Sequence, residues 1–303
     1  MRIAVNENSL DHHAGFVALA GRSNVGKSTL LNRLVGEKIA AVSPKPQTTR
    51  SRILGIVNRP DAQIILIDTP GLHEPKRLLN QRMVAAARSA LADADVVLTV
   101  IEAAPVLSGS DRDVLRELEH SSKPLIIAIN KIDRVGRDQL IAIADEVGKL
   151  VPAAEIVPVS ALKGENVEEL LATVSRMLPA GPSLMPEDQF TDQSERTLAA
   201  EIVREKLFAE MREEIPFSTA VVVDYFELDS ERSLLRISAN IIVERESHKG
   251  MVIGAGGLQL KKIGQAARLE LEQMLGSRIF LQLNVKVEKN WTRDPRKLEE
   301  FGL

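Results

Sequence analysis

Residues 16–35 read FVALAGRSNVGKSTLLNRLV, and the order of residue types in this stretch decides the fold of the first half of the chain. A short apolar run of strand type enters Gly21; Gly21, Gly26, Lys27 and Ser28 then satisfy G-x-x-x-x-G-K-[ST], and an amphipathic stretch follows at once. In such a unit the backbone of Arg22, Ser23, Asn24, Val25 and Gly26 wraps phosphates, the lysine reaches the outer ones, and the Ser28 hydroxyl ligates Mg²⁺. The helix that opens through Thr29 adds its dipole to the anion site. The plainer reading, a glycine turn with an exposed lysine, does not account for the strand before it and the helix after it. The loop binds phosphates without reading a base.

Working outward, FVALA, RILGIVN, QIILID, DVVLTVIEA, PLIIAIN and EIVPVS are short β-rich runs. Between them lie helix-like periods such as KRLLNQRMVAAARSAL, SDRDVLRELEH, DQLIAIADEVGKL and NVEELLATVSRML. Strand and helix in alternation predict an α/β domain with a mainly parallel sheet covered on both faces, spanning residues 15–178 after a polar tail of residues 1–14. Residues 179–193, with three prolines and a glycine in PAGPSLMP, read as a linker. Residues 194–303 read as a smaller α+β domain: a helix from about 194 to 211, the strand pair STAVVVDYFE and SLLRISANIIVE, a glycine-rich turn, a helix from about 259 to 275, and the strand IFLQLNVKV.

Two later stretches choose the base. NKID follows the apolar run PLIIAI, so Asn130, Lys131 and Asp133 fall at a carboxyl edge of the sheet, where open α/β folds bind ligands. The Asp133 carboxylate can accept from the ring N–H and the exocyclic amine of guanine, a pair of donors that adenine lacks. Ser160 and Ala161, followed by Leu162, would bring the Ala161 N–H near the guanine carbonyl. DTPG closes the run IILI, so that Asp68 serves Mg²⁺ and the Gly71 amide meets a γ-phosphate. In SPKPQTTRSR, Thr49 is chosen over Thr48 to complete the metal shell. These assignments make Lys27, Thr49 and Gly71 candidate catalytic residues and Ser28, Thr49 and Asp68 the candidate metal ligands. A small-molecule P-loop kinase is the competing enzyme class, and NKID argues against it.

Composition bounds the rest. The 303 residues are 44% apolar and contain no cysteine, which excludes a disulfide framework and thiolate chemistry and points to a reducing cytoplasm. No apolar run reaches the length of a membrane span, and the first fourteen residues lack the pattern of a secretory signal. The net charge of −3 hides an asymmetry: residues 190–244 hold 6 Lys+Arg against 12 Asp+Glu, and residues 245–297 hold 11 against 5. A basic face of this kind is the footprint a nucleic-acid backbone needs, although a solvated mixed surface would read the same.

GRSNVGKS, QTTRS, DTPGLH, NKID and VSA in this order, followed by PEDQFTDQSERTLAAEIVREKL and VERESHKGMVIGAGGLQLKKIG, make the chain resemble the Era-like family of bacterial GTPases over essentially its whole length. The second half is the more specific part. The resemblance implies a GTPase domain joined to a type II KH domain, with GTP/GDP and Mg²⁺ as ligands. It further implies binding to the 3′ end of 16S ribosomal RNA, a role in maturation of the 30S ribosomal subunit, and a cytoplasmic monomer; peripheral contact with the cytoplasmic face of the inner membrane is left open. Leu72 stands where glutamine-dependent GTPases carry the water-orienting residue, so that mechanism is absent. Asn24 matches an asparagine that in related GTPases helps to hold K⁺, and the resemblance thereby implies adding it to Lys27, Thr49 and Gly71 in the catalytic set, the alternative being a hydrogen bond within the loop. Ser23 replaces the proline usual in the family.

The KH reading rests on Gly254, Ala255, Gly256 and Gly257, a G-x-x-G loop that clamps a nucleic-acid backbone because side chains there would block close approach. Ala255 stands where such loops commonly carry a basic residue, and Lys261 and Lys262 follow. A dinucleotide fingerprint fails at Gln259. With aromatic residues at 3%, stacking is a minor source of affinity, and Trp291 and Phe280 are assigned to the core. The remaining alternative is a GTPase whose second domain meets a protein or membrane surface without RNA.

Overall fold

Six strands build the first sheet: β1 His13–Ala20, β2 Ile53–Asn58, β3 Ala62–Asp68, β4 Val96–Glu102, β5 Leu125–Asn130 and β6 Glu155–Val159. In this computed structural model the described residues are 12–43, 45, 52–68, 89–119, 121–211 and 215–302. The strand order is β2-β3-β1-β4-β5-β6, with β2 antiparallel to β3 and all other pairs parallel. Helices cover the faces of a parallel sheet, so its strands read as unbroken apolar runs; all seven residues of β3 are buried. On one side α2 (Gly109–Glu119) and α3 (Arg137–Leu150) place Val114, Leu115, Ile143 and Val147 against Val97, Ile101, Ile127 and Ile129. The loop-following helix α1 (Lys27–Val35) approaches β2 closely, because a Cβ on Gly55 would stand 2.7 Å from both Leu31 and Val35 side chains. α4 (Val167–Met177) completes the helices of this unit used below.

The described residues fall into two units, one running to residue 192 except for 40–45, the other containing 40–45 and 193–302. The stretch 179–192, read from its prolines as a linker, lies within the first unit. Ile56 N–H donates to Phe190 O at 2.9 Å and Thr191 Oγ1 to Leu54 O at 2.7 Å. Fully buried Gln63 accepts from the N–H groups of Leu184 and Met185 and donates to Met185 O. His12 and His13 each place Nδ1 against a backbone carbonyl, of Gly181 and Leu178.

The second unit packs α5 (Glu195–Glu210) and α7 (Leu258–Leu275) on a three-stranded sheet of β7 (Thr219–Asp229), β8 (Leu234–Val243) and β9 (Arg278–Val287). Val203, Leu207 and Phe208 of α5 and Ile263, Ala267 and Leu271 of α7 meet Ile237, Ala239 and Ile241 of the central strand. β7 and β8 are antiparallel, β8 and β9 parallel. A parallel pair requires a crossover, supplied here by α6 (Glu246–Ile253), the glycine loop and α7. Both α6 and α8 (Pro295–Glu300) are additions to the sequence reading. α6 is eight residues long, contains Gly250 and ends in Val252 and Ile253, a poor local helix signal; burial of His248 and Val252 holds it. α8 does carry its signal, an Asp294 side chain accepting from Arg296 N–H with Pro295 at the first helical position. No described helix is long and apolar enough to cross a membrane.

Candidate nucleotide site and nucleic-acid cleft

The loop after β1 takes its shape from residues that no side chain could replace. Gly21 has φ 128° and a Cβ there would lie 2.3 Å from Val100 O; Gly26 has φ 102° and its Cβ would lie 2.3 Å from Asn130 Nδ2. Asn24, at φ 67°, supplies a third left-handed position, which asparagine tolerates better than most residues. Lys27 is buried with its ammonium donating to Gly21 O at 3.0 Å and Arg22 O at 3.1 Å. Burial pushes its pKa down, against the opposing charge of Asp68. The Ser28 hydroxyl donates to Asp68 Oδ2 at 3.0 Å, bringing together a neutral and an anionic oxygen of the kind Mg²⁺ prefers. Thr49 and Gly71, the other members expected at the phosphates, lie outside the described residues, as do Thr48 and Leu72.

The parallel strands β5 and β6 deliver the residues expected to read the base to the same edge of the sheet. Asn130 is buried and donates from Nδ2 to Val25 O at 2.8 Å, so it ties this loop to the phosphate loop. Lys131, at φ 68°, donates to Asn24 O at 2.7 Å and pairs with Glu102 Oε1 at 2.9 Å. Ser160 Oγ donates to Asp133 Oδ1 at 2.6 Å, and this bond holds the Asp133 carboxyl below its usual value although burial works the other way. The expectation for Ala161 changes: its N–H donates to Asn130 Oδ1 at 3.0 Å rather than facing outward. A charged network beneath the loop had no motif to reveal it. Arg22 pairs with buried Asp111 at 3.0 Å and with Glu102 at 2.9 Å, so Glu102 bridges Arg22 and Lys131.

In the second unit the glycine loop joins α6 to α7. Gly254, at φ 73°, would press a Cβ to 2.6 Å from Gln259 Cβ, whereas Gly256 (φ 58°) and Gly257 (φ 78°) face open space. Ala255 is exposed and keeps an ordinary backbone. Beside Gly257 lies a cleft of about 620 Å³ between α7 and β9, its apolar wall made by Leu260, Leu281 and Leu283 and its rim by Lys261, Gln265 and Arg268. Gly264 also lines the cleft, and a Cβ there would meet Leu283 Cδ1 at 3.4 Å, an ordinary van der Waals contact. Lys261 reaches this cleft, but Lys262 pairs with Glu210 at 2.8 Å and takes no part in lining it. Trp291 is fully buried with Nε1 on Ser218 O. Phe280, expected in the core, is 53% exposed, because it alternates with the inward-facing Ile279 and Leu281 on β9.

These two sites define a P-loop nucleotide hydrolase of the guanine-reading class that carries a KH-type nucleic-acid module. Comparison with known proteins agrees on both halves: residues 16–131 match the 50S ribosome-binding GTPase family and residues 214–292 the KH domain family. GTPase Era of Syntrophus aciditrophicus is 48% identical over 294 residues, covering 97% of this chain and 96% of that protein. GTPase Era of Geobacter metallireducens is 46% identical over 289 residues, covering 95% and 97%. Two solved structures each superpose with a TM-score of 0.91 at 45% identity, over 96% of this chain and 99% of theirs: a point variant of Aquifex aeolicus Era bound to GDP·AlF4⁻, and Era in complex with MgGDPNP and nucleotides 1506–1542 of 16S ribosomal RNA. The chain belongs to the Era family of GTPases.

Proposed function

We propose that this GTPase is a cytoplasmic, monomeric switch that clamps single-stranded RNA at the 3′ end of 16S ribosomal RNA and assists maturation of the 30S subunit. The single observation that carries the RNA reading is the α7/β9 cleft, with open Gly256 and Gly257 at one end and Lys261 and Arg268 on the rim. A phosphate can approach the backbone only where no Cβ projects, and the apolar wall suits an unpaired base. The relative solved with nucleotides 1506–1542 of 16S RNA supports the choice of target.

In the nucleotide domain, Asp133, held ionised by Ser160, accepts from the guanine N–H groups, while Asn130 fixes the base loop on the phosphate loop. Lys27 exchanges the carbonyls of Gly21 and Arg22 for phosphate oxygens, so a buried cation meets an anion. Ser28 and Asp68, with Thr49, would hold Mg²⁺, which when bound screens the charge that develops on the phosphates. The Gly71 amide meets the γ-phosphate. Asn24, exposed in the loop, would help to hold K⁺, which when bound would offset charge developing on the phosphates.

The test is a salt titration of RNA binding by the full chain. Gly256→Asp keeps the left-handed backbone, which aspartate tolerates, but sets a carboxylate in the phosphate path. It is expected to weaken binding of an oligonucleotide from the 16S 3′ end at least about tenfold and to leave GTP binding intact. Wild-type affinity in this variant would overturn the clamp.

A further inference from the structure

Arg33 lies in the last turn of α1, the helix whose first two residues are the phosphate-site Lys27 and Ser28. Its guanidinium crosses to the loop after β6, where Nε donates to Ala161 O at 3.0 Å and Nη2 to Leu162 O at 2.8 Å. One planar fork therefore grips two successive peptide groups. A trans peptide points its C=O and N–H in opposite directions. With Ala161 O turned to Arg33, the N–H of Leu162 in the same peptide is turned away from it, and a C=O polarised by a cation makes its own N–H a stronger donor. The neighbouring donors of the loop are already engaged: Ala161 N–H on Asn130 Oδ1, Lys163 N–H on Ser160 Oγ at 3.1 Å, and Gly164 N–H on Ser160 O at 2.7 Å.

We infer that Arg33 is a specificity-determining positioning residue, which through the Ala161–Leu162 peptide aims the Leu162 N–H at the 6-oxygen of guanine. This rests on the reading that the loop after β6 meets the base beside Asp133. It gives α1 two duties, phosphates at its first turn and base discrimination at its last, and it moves the oxygen-reading donor from Ala161 to the next residue.

The discriminating probe is 2-aminopurine riboside diphosphate, which presents the exocyclic amine that Asp133 reads but has neither the 6-oxygen nor the ring N–H, so that only a change of the GDP-to-analogue ratio on substituting Arg33 reports the 6-oxygen contact. Dissociation constants of GDP and of this analogue are measured for the wild type, Arg33→Met and Arg33→Lys, with thermal melting of each nucleotide-free protein. The wild type is expected to prefer GDP. Arg33→Met should reduce that preference about fivefold, through GDP alone, the worth of one aligned hydrogen bond. Arg33→Lys, which can serve one carbonyl at a time, should reduce it about twofold. A role confined to packing would lower both affinities together and leave their ratio unchanged. An unchanged ratio in a folded Arg33→Met, or in Arg33→Lys should the methionine variant not fold, overturns the inference and leaves the base-reading assignment standing. A wild type that binds both nucleotides equally would overturn the base-reading assignment of Asp133 and of the loop together.

Discussion

Asn24 stands in a left-handed conformation at φ 67°, with its carbonyl receiving the Lys131 ammonium and its residue exposed at the nucleotide edge. Those facts decide how the K⁺ proposal is tested. Alanine would add backbone strain at this φ and confuse the result, whereas glycine adopts the conformation freely and removes only the side chain. Wild-type GTP hydrolysis is expected to run about tenfold faster in KCl than in NaCl of equal ionic strength, a barrier difference of about 1.4 kcal/mol, because Na⁺ carries the same charge but differs in size and so fits a K⁺ position less well. In Asn24→Gly the two rates should converge with GTP affinity nearly unchanged. Equal wild-type rates in both salts would remove the cation from the mechanism.

Elements meet at the carboxyl edges of β1, β4 and β5, and Glu102 at the end of β4 is the side chain that links the other two. It receives Arg22 from the phosphate loop at 2.9 Å and Lys131 from the base loop at 2.9 Å, and buried Asp111 at the start of α2 fixes the far side of Arg22. Burial alone would raise the Glu102 carboxyl, but the hydrogen bonds and charges of Lys131 and Arg22 outweigh it and hold the group below its ordinary 4.5. For a carboxylate depressed in this way, the linkage is complete above the ordinary value and is lost only as pH falls through the lower, folded value. GDP dissociation should therefore be independent of pH from neutrality down to about 4.5 and accelerate below it. Glu102→Gln should release GDP about fivefold faster at neutral pH, a partly exposed charge-assisted pair being worth less than a buried one. A dissociation rate equal to wild type in a stopped-flow chase would show that the bridge does not tie the two loops.

Across the molecule, charge is divided by sequence position more than by total. The acidic stretch 190–244 includes Glu210 of α5, which takes Lys262 in an ion pair, so part of the basic excess of residues 245–297 is neutralised where it lies. Lys261 and Arg268 keep their place on the cleft rim, and Arg268 already shares Glu272 at 3.1 Å. The clamp is thus lightly charged, and Ala255, exposed in ordinary backbone geometry, is the position where one more cation fits without strain. Ala255→Lys should tighten single-stranded RNA and steepen the slope of log K against log salt by up to about 0.7, the increment for one phosphate contact. An unchanged slope would show that the backbone does not pass over this loop.

The sequence by itself determined what depends on neighbours in the chain. Short apolar runs located all six strands of the first sheet, and the 3.6-residue period located the long helices among the described residues. The glycines of GRSNVGKS and GAGG marked backbone that lacks obstructing side chains, and NKID placed Asp133 just past the end of a strand. Contacts between residues far apart in sequence carry no such local mark, and only the tertiary structure decided them. Proline-rich residues 179–192 look like a linker until Gln63 and the edge of β2 supply their hydrogen bonds. Nothing in the order of residues shows that Lys262 turns to Glu210 while Lys261 turns to the cleft, because adjacent helical positions differ by about 100° in direction. Arg22, Arg33, Glu102 and Asp111 are ordinary surface types in the sequence, and it is the parallel sheet, by bringing the ends of β1, β4, β5 and β6 to one edge, that gathers them beside the glycine loop and the loops after β5 and β6.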